Sequence, residues 1–304
     1  MRNFAQANRS EYNNVSVDGL LFDHNLSKQT SRNGVDYIRG EVEIATDSDC
    51  VNTVKVHFTY VPATTKSGKK SMTYDNLEKV INGEFVSVKK SGVVSATFLR
   101  VSGQIEKNDF VSSQSKEIVE ATRISGSFVN EGARDNGHAT FVADMLITNY
   151  SERDSNFDND TYGVIKGFIF NYRNEFLPVQ FNVPSDNGGM EYFASQDISN
   201  NNPLLISVGG NITTTVKAVE SETAFGVRSS SRNLHSWDIT SAGNPYVEPG
   251  SFDDNPIMTF DDIKEGIAKR AEHLAEVRHQ WEERQQNSFA NSGTEKKVSK
   301  NYQF

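Results

Sequence analysis

The sequence holds a single cysteine, Cys50, among 304 residues. That excludes an internal disulfide framework and any cysteine-built zinc cage. No apolar run approaches the ~18 residues needed to span a bilayer. The opening stretch from Met1 to Asn8 lacks the apolar region of a secretory signal. These absences lead to the expectation of a soluble protein in a reducing cytoplasm, with no membrane partner. The motifs of common catalysis are missing too: no GxxxxGK[ST], no HExxH, no GxSxG and no CxxC. His24, His57, His138, His235, His273 and His279 are scattered without a ligand spacing. Asp47/Asp49, Asp253/Asp254 and the acidic run Asn156–Asp160 read as solvated turns; the last lacks the Gly and terminal Glu of a calcium loop. The expectation is therefore a protein that is not an enzyme and carries no cofactor or metal.

What is present is a polar chain with net charge −9, 36% hydrophobic and 23% charged. An acidic total opposes binding to a polyanion, but the contact face matters more than the sum. The charge is uneven: residues 31–150 hold fourteen Lys and Arg against fifteen Asp and Glu, whereas residues 151–250 hold six against twelve. Only the first of these regions is near balance, and a basic surface is expected there.

Short apolar runs separated by Gly, Asn, Asp and Ser turns read as strands. Ile38, Val42 and Ile44 alternate with Tyr37, Arg39, Glu41 and Glu43; Val54, Val56 and Phe58, then Leu99, Val101 and Ile105, repeat the period of two. Tyr74–Ile81 reads as a short helix. Residues 1–30 read as a polar arm without a core of its own. Residues 31–150 form a first module, 151–160 a linker and 161–245 a second module. An acidic loop (246–258), an amphipathic helix (259–286) and a polar, basic tail (287–304) follow.

The modules read as a diverged repeat. Ile38-Arg39-Gly40-Glu41-Val42 matches Ile165-Lys166-Gly167-Phe168-Ile169, and Val101-Ser102-Gly103-Gln104-Ile105 matches Val208-Gly209-Gly210-Asn211-Ile212. A glycine inside a strand marks a bulge or a tight bend at a barrel corner. The fold class is thus mostly β: two OB-like small barrels followed by a C-terminal amphipathic helix. In that helix Thr259 caps the N-terminus, and Ile263, Ile267, Ala271, Leu274, Val277 and Trp281 form one apolar stripe. The stripe docks either on the protein's own second barrel or on a partner.

Aromatic rings beside cations on one sheet face suit unpaired bases, because rings stack on bases and cations neutralise phosphates. In the first module Tyr37, Arg39, Lys55, His57, Phe98 and Arg100 are assigned to the outward face. The basic loop of Lys66, Lys69 and Lys70 is placed to clamp a backbone, and Arg123 adds charge. In the second module the strand from Tyr162 turns Lys166, Phe168, Phe170 and Tyr172 outward, followed by Arg173. Phe168, Phe170 and Tyr172 are either base platforms or packing between domains.

This combination resembles bacteriophage-encoded single-stranded DNA-binding proteins with OB folds, on the two paired pentapeptides and over roughly residues 31–245. The resemblance implies coating of exposed strands during DNA replication or recombination, without catalysis or cofactor, in a host cytoplasm. It implies Tyr37, Arg39, Phe98 and Arg100 as contacts, with Lys166 and Phe168 at the matching strand. Replication proteins, or self-association through the helix, are the implied further partners. Members commonly end in an acidic tail, whereas the end here, Glu295–Phe304, is basic. The competing expectation is a structural or virion-assembly protein that presents the same modules and helix to other proteins.

Overall fold

A computed structural model describes residues 13–65, 67–154, 161–223 and 226–292, with backbone alone for 215–223, 226–234 and 287–292. The chain runs β1 (Asn13–His24), β2 (Ser27–Thr30), β3 (Asp36–Ala45), β4 (Thr53–Pro62), α1 (Met72–Asn82), α2 (Val88–Ser95), β5 (Phe98–Val111) and β6 (Ile118–Glu131). It continues with β7 (His138–Asp154), β8 (Thr161–Phe170), β9 (Phe176–Val183), α3 (Gly189–Ser195), β10 (Leu204–Thr223), β11 (Gly226–Ala242) and α4 (Phe260–Ser292). Two closed circuits result. The first is β1–β3–β4–β6–β5 and back to β1; the second is β7–β8–β9–β11–β10 and back to β7. In each, the third and fifth strands meet in parallel, β4 with β6 and β9 with β11. Helical segments intervene between the third and fourth strands of each circuit. Both circuits are five-stranded OB-like barrels, and the protein is mostly β with a C-terminal helix.

The barrels join by antiparallel pairing of their first strands, β1 with β7. Val15 pairs with Gly103 in the first barrel, and Phe141 with Gly210 in the second. Leu20 pairs with Phe98, and Leu146 with Leu205, so the ladders are equivalent throughout. Val15 and Phe141 also pair with each other. A local two-fold therefore passes through that pair. The match of Gly103 with Gly210 holds residue for residue. A Cβ would stand 2.3 Å from Ser125 O at Gly103 and 2.1 Å from Asp238 O at Gly210. Both lie at a register shift, where the neighbouring backbone comes too close for a side chain. The other repeat match lies on equivalent strands but in a shifted register. Leu20 and Leu146 pair with Ala45 and Phe168, and counting back along both strands reaches Gly40 and Gly163 together. These pair with Phe58 and Val183, so Gly163, not Gly167, is the counterpart of Gly40.

Several boundaries differ from the sequence reading. Residues 13–24, expected within a polar arm, form the first strand of the first barrel, and Val15 and Val17 are buried in its core. The segment from Ala139 to Thr148 belongs to the second barrel, as its first strand β7, rather than to the first. That strand runs on to Asp154 through part of the expected linker; 155–160 lie outside the described residues. In the expected acidic loop, Val247, Phe252 and Met258 are buried. Gly188 precedes α3 with φ 69°. Ser71 caps α1, accepting from the Tyr74 N–H at 3.3 Å, and Gly83 at φ 79° ends it, which places its start ahead of Tyr74.

Helix α4 begins in a reciprocal cap: Asp262 N–H donates to Thr259 Oγ1 (3.2 Å), and Thr259 N–H donates to Asp262 Oδ2 (2.9 Å). It extends to Ser292, into the stretch read as tail, and residues 293–304 lie outside the described residues. Its docking face is rotated from the predicted stripe. Ile263 is buried and Leu274, Val277 and Trp281 are half-buried, but Ile267 and Ala271 are exposed. The reason is Gly266, where a Cβ would stand 2.2 Å from the Phe176 ring. That close approach turns Gly266 and Arg270 inward instead. The helix covers a core of Leu146, Phe170, Phe176, Leu205 and Phe252 on the second barrel. Among the described residues no helix is long and apolar enough to cross a membrane.

Candidate nucleic-acid interface

On the outer face of β3 and β4 the ladder pairs Ile38 with Val61 and Gly40 with Phe58. Arg39 is thus opposed by two residues, Thr59 and Tyr60. This bulge shifts the alternation by one, so Tyr60 leaves the inward series of Val54, Val56 and Phe58 and is 50% exposed. Its ring centroid lies 4.6 Å from that of Tyr37, with the planes tilted by 33°. The Tyr37 hydroxyl donates to Gln29 Oε1 at 2.7 Å, which fixes the ring from the edge strand β2. Arg39 is exposed beside this pair. Tyr60 was missed from sequence because a strict period of two sends it into the core.

Further along the same face, Lys55 is exposed and His57 half-buried. Parallel pairing of Val56 with Ile124 and His57 with Ser125 brings Arg123 of β6 alongside. His57 is held below its usual pKa mainly by burial; Glu41 opposes this, and Arg123 and Lys55 reinforce it. His57 Nδ1 lies 3.3 Å from Glu41 Oε2, and Arg123 Nη2 lies 3.5 Å from Glu106 Oε2. The face thus carries a ring pair with Arg39 and, further along, Lys55, His57 and Arg123, with Glu41, Glu43 (opposite Lys55) and Glu106 as local counter-charges.

Other residues assigned to the interface are placed elsewhere. Lys66 lies outside the described residues. Lys69 and Lys70 are exposed at a turn, with Lys70 Nζ 2.8 Å from Asp75 Oδ2. Phe98 does not face solvent: it is 5% exposed, packed with Leu20, Ala45 and Ala96 beneath Val88 and Val93 of α2. Arg100 is on β5, paired to Asp18 at 3.2 Å and away from the β3–β4 face. In the second barrel Lys166 is exposed, but Phe170 is 3% exposed and meets Phe176 edge-on at 5.1 Å. Phe168, 5.5 Å from the same ring, packs on that core, so both rings serve the base of α4 rather than a base platform. Tyr172 is 62% exposed, with the Arg173 guanidinium 5.2 Å from its ring centre.

The two-fold shows which barrel is suited to an anion. β4 meets β6 at His57–Ser125, and β9 meets β11 at Asn182–Asp238. The positions of Lys55, His57 and Arg123 are therefore held in the second barrel by Gln180, Asn182 and Ser236. Asn182 Nδ2 donates to Ser236 Oγ at 2.9 Å, a neutral contact beside Asp238. Two cations and a histidine in one barrel correspond to three neutral polar groups in the other. Among the described residues no group of three or more His, Cys, Asp or Glu could hold a metal ion.

Two crystal structures of the single-stranded DNA-binding protein from Thermus aquaticus are similar to this chain. The wild type is 11% identical with a TM-score of 0.45, and a deletion mutant is 10% identical with a TM-score of 0.46. Each covers 78% of this chain and 95% of its own. Values this low do not bear on what the chain binds, and the barrel topology rests on the strand registers given above. No curated protein matches the chain. The YorF family model matches residues 11–280, from just ahead of β1 into the second half of α4, and the chain belongs to the YorF family.

Proposed function

We propose that this protein binds single-stranded DNA without catalysis, on the outer face of β3, β4 and β6. One observation carries the reading. The Tyr37–Tyr60 ring pair sits beside Arg39 on the second and third strands of an OB-like barrel, the face on which such barrels take oligonucleotides. Rings on that face stack on bases of any identity, and Arg39, Lys55 and Arg123 neutralise phosphates. Binding is therefore sequence-tolerant and salt-sensitive. Coating strands exposed during replication or recombination, in a phage setting, is the role this chemistry serves.

The test is fluorescence anisotropy of labelled oligo-dT across a salt titration, with duplex DNA as competitor. For three phosphate contacts on a single strand, log affinity is expected to fall against log salt with a slope of about −2. Absence of binding at low salt overturns the reading. The net charge of −9 would then favour the competing role, an assembly protein whose barrels face other proteins.

A further inference from the structure

The basic face of the first barrel ends at a cleft. Adjacent strands lie ~4.8 Å apart, and stepping from β4 across β6 to β5 leads from His57 through Ser125 to Gln104, with Glu106 two residues further along β5. Glu106 is both the partner of Arg123 and a wall of the cleft. The cleft has a volume of about 780 Å³ and lies between β5, the β8–β9 turn and α4. The two-fold sets it apart from its counterpart. Lys107 and Thr214 are equivalent, each following its matched glycine at the same spacing. Thr214 closes its side: its N–H donates to Asn52 Oδ1 (2.7 Å) and its hydroxyl to Thr53 O (2.9 Å). Lys107 makes no such bond to the β8–β9 turn, and its Nζ donates to Thr122 Oγ1 at 2.9 Å.

We infer that the cleft is a second nucleotide subsite, in which a base of the strand leaving the β3–β4 face stacks on Tyr172 and its phosphate meets Arg173 and Lys107. This rests on the function proposed above. The carboxylates of the cleft are already engaged. Arg270 and His273 hold Asp109, and Lys269 holds Glu265. The Asn171 amide donates to Glu175, which keeps its charge, Asp262 accepts from Thr259, and Arg123 pairs with Glu106. Lys107 Nζ donates to Glu120 O (3.3 Å) as well as to Thr122 and feels the Glu120 and Asp109 carboxylates at longer range, but among the described residues neither Lys107 nor Arg173 has a carboxylate oxygen within 4 Å. Asn174, in the left-handed region at φ 64°, keeps a buried Oδ1 without a hydrogen-bond partner among the described residues. That acceptor suits a base N–H, such as the N3–H of thymine. Tyr172 is exposed and sits in a turn, so its removal leaves the core in place.

The experiment compares an oligo-dT of about six nucleotides, within the ~4–16 that one such barrel covers, with one of about twenty, beyond it. Tyr172→Ala is expected to leave the short oligomer's affinity unchanged and to weaken the long one about tenfold, within the range of one lost stack. Tyr172→Trp gives an independent readout: its emission, beyond that of wild type, is quenched by the long oligomer and not by the short. Equal weakening of both lengths, or of neither, overturns the subsite. Failure of the wild-type protein to bind either length overturns the first-barrel reading instead, so the two failures are distinct.

Discussion

Arg270 of α4 grips the Asp109 carboxylate of β5 with both terminal nitrogens, at 2.8 and 2.7 Å, and also reaches Glu120 of β6. A helix leaving the second barrel is thereby tied to the β5–β6 hairpin of the first. The side chains are 10% and 4% exposed, so each charge depends on the other. Arg270→Met leaves Asp109 with His273 as its remaining ion-pair partner. A loss of roughly 3–5 kcal/mol in urea unfolding is expected, as for other buried pairs broken on one side. Arg270→Lys does not restore it, because an ammonium lacks the planar fork. Adding Asp109→Leu to Arg270→Met recovers much of the loss.

Phe98 and Arg100 are neighbours in sequence with opposite roles. Phe98→Ala empties a site under α2 and is expected to cost ~3–5 kcal/mol, the usual range for a buried phenylalanine. Arg100→Ala takes a solvent-facing guanidinium from the buried Asp18, which keeps Ser16 and His138 nearby, and is expected to cost ~1–3 kcal/mol. Chemical denaturation of both variants separates them; equal effects would return Phe98 to the surface.

Tyr60 is the residue on which the proposed function depends most directly. Tyr60→Ala is expected to weaken oligo-dT binding by ~1–3 kcal/mol, one stack's worth, with little change in melting temperature. Lys166→Ala, in the second barrel, is expected to leave affinity for a short oligomer unchanged. Anisotropy and thermal melting on the same preparations check both outcomes.

Gly103 and Gly210 are predicted to be equally intolerant of a side chain. In each, the added carbon meets a backbone carbonyl of the fifth strand, which cannot rotate away. Gly103→Ala and Gly210→Ala should each destabilise by ~1–3 kcal/mol, as overpacking does. Gly34→Asn is the control: nothing lies within 4 Å, and asparagine tolerates its φ of 75°.

His24 gives the expected pH dependence. Burial is the main cause that holds its pKa below 6.5; Lys90 adds to this and Asp23 opposes it. Its Nδ1 is buried without a hydrogen-bond partner among the described residues. A lowered folded pKa means that the unfolded chain takes the proton more readily. The contribution of His24 is therefore intact above ~6.5 and is lost as pH falls below it. His24→Gln is expected to lose less melting temperature than wild type between about pH 7.5 and 5.5.

The alternation of apolar residues placed Ile38, Val42, Ile44, Val54, Val56, Phe58, Leu99, Val101 and Ile105 inward, and all are buried. The glycine pair Gly103 and Gly210 carried the repeat, and Thr259 carried the start of α4. These were legible because each depends on local geometry: a period, a bend or a cap. β1 was not legible. Its polar flanks read as an arm, and its burial comes from β5 and β7, which are distant in sequence. Nor was the interface fully legible. Alternation says which side of a strand a residue occupies, not what lies over that side: α2 covers Phe98, and the core beneath α4 encloses Phe170. Period, repeat and cap were enough to specify a β protein of two related barrels ended by a capped helix. Only the fold brought the barrels together along a paired edge, exposed Tyr60 at a bulge, and set Lys55, His57 and Arg123 side by side where the second barrel has neutral groups. The physical reason is that register and covering layers come from contacts between distant segments, which no local pattern records.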